Sequence, residues 1–120
     1  DRLELNKTFT LENIYYNLDK YDIRADAAPE LDRLAQLLKD NPTMVIELSS
    51  HTDVRGSDAY NMTLSQKRAE SVVNYLTLKG IDADRMEARG YGERDLIVQN
   101  AKTEEEHQRN RRTEFTILSY

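Results

Sequence analysis

Between Leu31 and Leu48 the spacing of apolar residues changes from one period to another across a single break, and that change limits the fold more than any other feature. Leu31, Leu34, Ala35 and Leu38 recur at i, i+3, i+4 and i+7, the pattern of one buried helical face. Asp26 and Pro29 mark where that helix starts, and Asn41-Pro42 stops it. Directly afterwards Met44, Ile46 and Leu48 alternate with Val45, Glu47 and Ser49, which predicts a strand over 43–50 with one apolar face. A helix that feeds a strand so closely has to pack back on the sheet it enters.

The rest of the chain repeats this logic. Phe9 to Leu18 mixes aromatic and β-branched residues with polar ones, and Ile14-Tyr15-Tyr16 suggests a strand. His51 to Asp58 is a polar loop containing Gly56. A second helix is expected to begin between Ser57 and Ser65 and to end before Gly80, with Ala69, Val72, Val73 and Leu76 as its apolar face. A strand is predicted over 85–89, followed by a flexible Gly90-Tyr91-Gly92. Thr103 and Glu106 form a capping box that predicts a short helix over 104–108. In the last strand, over 113–118, Phe115 and Ile117 alternate with Glu114 and Thr116. One-faced strands and one-striped helices in this order predict an α/β two-layer sandwich: a single mixed four-stranded sheet with two main helices on one face.

At 120 residues the chain suits one domain, taken as 1–120, with 1–8 expected to be a linker from a preceding region. A net charge of −5 speaks against nucleic acid as a partner, because phosphate binding needs a basic face. With no cysteine, disulfides and thiolate zinc sites are excluded. No apolar run approaches the roughly 20 residues that a membrane-spanning helix requires.

Three clusters carry possible chemistry. They are Thr52-Asp53-Val54-Arg55-Gly56 after a hydrophobic strand, Asn61 with Leu64-Ser65-Gln66-Lys67-Arg68-Ala69, and Asn110-Arg111-Arg112-Thr113-Glu114-Phe115 before the last strand. A strand end that passes through a loop into a helix sets side chains at the carboxyl edge of a sheet, where α/β folds tend to bind ligands. Asp53 offers a carboxylate there, and Arg68 a planar fork of donors suited to another carboxylate. Facing one ligand, the two complement a zwitterion. Spacing alone favours an ordinary surface ion pair, typically worth about 0–1 kcal/mol.

Taken together, Thr52-Asp53…Gly56…Asn61…Leu64-Ser65…Arg68-Ala69 and Asn110-Arg111-Arg112…Glu114 resemble the OmpA C-terminal-like family, which includes the peptidoglycan-associated lipoproteins and the MotB stator domains. The resemblance runs from about Phe9 to the end of the chain. It implies non-covalent, non-enzymatic binding of peptidoglycan with no cofactor, and diaminopimelate of the stem peptide as the recognised group. Carried onto this sequence, Asp53 receives the ammonium and Arg68 the nearby carboxylate. Asn61 adds amide hydrogen bonds, Thr52 supports the loop, Asp19 is a further ligand-facing acid, and Arg111 is a basic residue at the rim. The resemblance also implies a periplasmic domain whose parent protein is attached to the outer membrane. Two departures stand out: Leu18 replaces the phenylalanine often found before the Asp19 position, and Glu93-Arg94-Asp95-Leu96 lacks the usual proline.

Other polar features have plainer readings. Arg112 and Glu114 are expected to be strand-edge charges, Glu104-Glu105-Glu106 a capped and solvated helix face, and His107 exposed. His51 and Asp53 form a His-x-Asp fragment, but zinc takes about four ligands and no second cluster accompanies it. An enzyme using Asp53 as base, with Arg68 or Arg111 stabilising an anion, is the competing reading. The sequence contains no cysteine, and neither histidine sits in a recognisable triad. A protein-interaction module using exposed helix faces is a third.

Overall fold

A computed structural model describes residues 5–11, 23 and 25–120. The described elements run β1 (Thr8–Thr10), α1 (Ala28–Asp40), β2 (Val45–His51), α2 (Asp58–Leu78), β3 (Met86–Gly92), α3 (Glu104–Asn110) and β4 (Arg112–Ser119). They form the mixed sheet expected from the alternating patterns, in the order β1-β4-β2-β3. β2 and β3 are parallel, with Ile46 opposite Met86 and Ser50 opposite Gly90. β4 lies antiparallel to both β2 and β1.

Each helix forms and ends for local reasons. Pro29 stands in the first turn of α1, where its missing N–H costs nothing, and Leu31, Leu34, Ala35 and Leu38 are buried as their spacing predicts. At its end the Asn41 side chain donates to the Leu37 carbonyl at 2.9 Å, closing the last turn. Ser57 caps α2 by accepting the Tyr60 N–H at 3.1 Å. α2 stops at Gly80, whose φ of +100° suits glycine, while Gly80 N–H and Ile81 N–H turn back onto the carbonyls of Thr77 and Leu76.

The core lies between the sheet and the two long helices. The α1 leucines meet Ile46, Leu48, Val72, Leu76, Ile81, Met86, Phe115 and Ile117 in one buried cluster. Each large aliphatic side chain removed from water contributes about 1.5–3 kcal/mol before entropy is counted. Arg85 closes one end of this layer by donating to the carbonyls of Leu38, Met44 and Asn41 at 2.6–3.1 Å.

Two expectations need correction. The sheet starts inside the segment read as linker: Asn6 N–H donates to the Ile117 carbonyl at 2.7 Å, and Thr8 pairs with Thr116. β1 spans Thr8–Thr10, and the strand suggested by Ile14-Tyr15-Tyr16 lies outside the described residues. Finally, Gly90-Tyr91-Gly92 is not a flexible linker but the last turn-free part of β3. The glycines are there for clearance. A Cβ on Gly90 would lie 2.2 Å from the Gln66 backbone nitrogen, so α2 rests directly on the strand.

Candidate ligand-binding site at the rim of the sheet

The carboxyl ends of β2 and β3 reach the same rim as the start of α2. Thr52 N–H donates to the Gly92 carbonyl at 2.8 Å, carrying the parallel pairing one residue past β2. The chain then turns through Asp53 to Gly56, whose φ of +93° again suits glycine. Thr52 is buried, and its Oγ1 donates to the Asp53 carbonyl at 2.9 Å.

α2 turns one stripe inward, made of Asn61, Ser65, Arg68, Ala69, Val72 and Leu76. Its far end is apolar and joins the core, while its near end is polar and meets the rim. Ser65 Oγ accepts the Gly92 N–H at 2.9 Å, and Gln66 Oε1 accepts the Gly90 N–H at 2.8 Å. The Asn61 amide donates to the Arg55 carbonyl at 3.0 Å, to Glu93 Oε1 at 3.3 Å and, more weakly, to the Asp53 carbonyl at 3.4 Å. Asn61 therefore ties the β2–α2 loop to the residue after β3. Arg68, two turns along the same stripe, is only 6% exposed.

β4 supplies the third wall. Its register sets His51 opposite Arg112, so in an antiparallel pair the residues just beyond, Asp53 and Arg111, have to converge. They do: Arg111 Nη1 donates to Asp53 Oδ2. Arg55 donates to the same carboxylate three times, from its backbone N–H at 2.9 Å and from Nε and Nη2 at 3.2 and 2.8 Å. Arg55 and Arg111 both also reach Glu104, at the start of α3. The site therefore holds a cluster of two carboxylates and two guanidiniums.

Asp53 is 6% exposed, and this burial pushes its carboxyl pKa upward. The hydrogen bonds from Arg55 and Arg111 outweigh that effect and hold it at about 2, below an ordinary 3.8. Glu104 is solvated, and the Arg111 hydrogen bond is the main cause of its lowered pKa.

Of the expected site residues, Asp53, Arg111, Asn61 and Thr52 meet in one hydrogen-bonded cluster, and Arg68 is buried on the same α2 stripe as Asn61. Asp19 lies outside the described residues. Three participants went unnoticed in the sequence. Arg55 and Glu93 were passed over inside recognised motifs, and Glu104 was read only as part of a solvated helix face. Glu106 does complete the capping box with Thr103, but Glu104 pairs across to Arg55 and Arg111.

Arg112 and Glu114 also need correction. β4 is an inner strand, so both side chains are largely covered, and Arg112 Nε donates to Glu114 Oε2 at 3.2 Å. His51 is buried between Tyr91, stacked 5.2 Å away, and Glu114, whose Oε1 stands 3.0 Å from Nε2. His107, expected to be exposed, is half-buried.

The structure is a two-layer α/β domain with a buried acid–arginine cluster at the carboxyl rim of a parallel strand pair, the edge at which such folds tend to bind ligands. The chain belongs to the OmpA family, whose model matches residues 15–111. It is 41% identical over 100 residues to outer membrane protein A of Serratia marcescens, covering 78% of this chain and 27% of that protein. It is 39% identical over 111 residues to the photosystem I P700 chlorophyll a apoprotein A2 of Gloeobacter violaceus, covering 88% of this chain and 13% of that protein. The chain thus spans little more than a quarter of the first relative and less of the second. Among solved structures, the peptidoglycan-associated lipoprotein from Burkholderia pseudomallei is similar with a TM-score of 0.80 at 33% identity, covering 87% of each chain. Among the described residues no helix is long and apolar enough to cross a membrane.

Proposed function

We propose that this domain binds peptidoglycan without covalent chemistry, gripping the diaminopimelate of a stem peptide, and so tethers the protein that carries it to the cell wall. The observation that carries this reading is the buried Asp53 cluster at the strand rim, with Arg68 buried on the same α2 stripe as Asn61, which bonds to that loop. The free end of diaminopimelate bears an ammonium and a carboxylate on one carbon. Asp53 complements the first, and Arg68 complements the second through a bidentate pair. Asn61 offers its amide, Thr52 holds the loop in shape, and Arg111 adds positive charge at the rim. Asp19 is proposed as a second acid toward the ligand. The similarity to a peptidoglycan-associated lipoprotein supports the same partner, and the periplasm is the compartment that goes with it. An outer-membrane attachment for the parent protein follows from likeness to outer membrane protein A.

The same geometry disfavours catalysis by Asp53. A carboxyl held at about 2 by surrounding donors is a weak base at neutral pH, far from the matched pKa that general-base catalysis needs. Binding at one site need not be tight, because the wall repeats its ligand and neighbouring copies raise the effective concentration.

Retention on purified sacculi tests the proposal. Asp53→Ala and Arg68→Ala are each expected to lose about 2–5 kcal/mol of binding, since each leaves a ligand charge unmatched. Undiminished retention of both variants overturns the assignment. Release of muropeptide fragments by the wild-type domain would instead make it an enzyme.

A further inference from the structure

The hydrogen bonds around Asp53 crowd one of its two oxygens. A carboxylate has about four acceptor sites. Among the described residues, four donors reach it: the Arg55 N–H on Oδ1, and Arg55 Nε, Arg55 Nη2 and Arg111 Nη1 together on Oδ2. With Asp53 only 6% exposed, an ammonium that reaches Oδ2 has to replace one of these donors.

The three groups differ in how easily they leave. The Arg55 N–H belongs to a loop pinned by Asn61, which holds the Arg55 carbonyl at 3.0 Å. Arg111 is 26% exposed and also bonded to Glu104 and Gln108, with its Cα fixed at the entry to β4. The Arg55 side chain is 54% exposed, and the Nη2 that donates to Asp53 already lies 3.1 Å from Glu104 Oε1. It is the most exposed of the three, and a second acid stands ready to take it.

We propose that Arg55 is a built-in competitor for the ligand's ammonium, occupying Asp53 until an ammonium displaces its guanidinium onto Glu104. This deepens the peptidoglycan reading and rests on it. The exchange makes Arg55 a specificity-determining residue. A ligand bearing only an ammonium has to displace Arg55 with no return at Arg68. A zwitterion recovers that loss through its carboxylate. Charge balance is kept throughout, because Arg55 moves from one carboxylate to another while the ammonium takes its place.

Calorimetric titration with free meso-diaminopimelate, using the wild-type domain, Arg55→Ala and Arg55→Lys, tests this. Removing the competitor is expected to tighten binding about two- to fivefold, the size of an exposed ion pair. Arg55→Lys, which keeps the charge but loses the planar fork, is expected to fall between alanine and wild type. In the wild-type domain the Arg55 Nε–H NMR signal should also shift as ligand is added. If the wild type binds and Arg55→Ala binds equally well or less well, or the Arg55 signal stays still, the competitor role is overturned. If the wild type does not bind diaminopimelate at all, the peptidoglycan reading itself fails, and this one with it.

Discussion

Replacing Asp53 by asparagine removes a charge while keeping nearly the same shape, so its effect isolates the electrostatics of the rim. In the folded domain the carboxyl titrates at about 2 against an ordinary 3.8. At about 1.4 kcal/mol per pH unit, that depression makes the ionised Asp53 worth about 2 kcal/mol of stability at neutral pH. The direction follows from the lowered pKa. The stabilisation is complete above the unfolded value near 3.8, and it fades as pH falls toward about 2. Urea unfolding of wild type and Asp53→Asn at pH 7 and at pH 3 reads it out. The gap is expected to be about 2 kcal/mol at pH 7 and about half that at pH 3. A gap that is the same at both pH values refutes the reasoning, because it would mean the carboxylate is not held by Arg55 and Arg111 in solution.

Gly90→Ala would set a Cβ 2.2 Å from the Gln66 nitrogen and 2.6 Å from its Cα, both backbone atoms that cannot step aside. Thermal or urea unfolding should show a loss of about 3 kcal/mol, and a loss below 1 kcal/mol would mean that α2 does not rest on β3 this closely. Thr103→Ala removes the hydroxyl that accepts the Glu106 N–H at 3.1 Å, and is expected to cost about 1 kcal/mol, seen as faster hydrogen exchange of the first α3 amides. Unchanged exchange there would show that the capping box contributes nothing.

The parts of this fold legible in the sequence are those set by local periodicity. The α1 stripe, the alternation of Ile46 and Leu48, the capping box at Thr103 and the Phe115–Ile117 face all concern residues a few positions apart, and all appear where their spacing indicates. What periodicity does not carry is lateral order. Arg112 and Glu114 looked like edge charges because nothing in their own segment says that β4 lies between β1 and β2. Gly90 and Gly92 looked like a linker because glycine signals both a loop and a close approach, and only the helix lying above them tells the two apart.

The site divides in the same way. Asp53, Asn61 and Arg68 stand out because they sit in a dense motif, and the resemblance gave them roles. Arg55 lies within that motif and still went unread, because its importance comes from Glu104, 49 positions away, and from the arrival of Arg111 across the β2–β4 register. An acid that looks available in a sequence is, in the fold, already surrounded by donors. That difference changes the picture of binding from docking onto a bare charge to exchange of one cation for another.

The central claim is that one rim site matches both poles of a single amino-acid terminus. Amide NMR titration with a stem tetrapeptide carrying diaminopimelate, set beside the same peptide with lysine in its place, tests it most directly. The lysine peptide keeps the ammonium and lacks only the neighbouring carboxylate. The account predicts shifts centred on Thr52, Asp53, Arg55 and Asn61 with the diaminopimelate peptide, and binding about tenfold or more weaker with lysine. Equal affinity for the two peptides, or shifts confined to another surface, would contradict it.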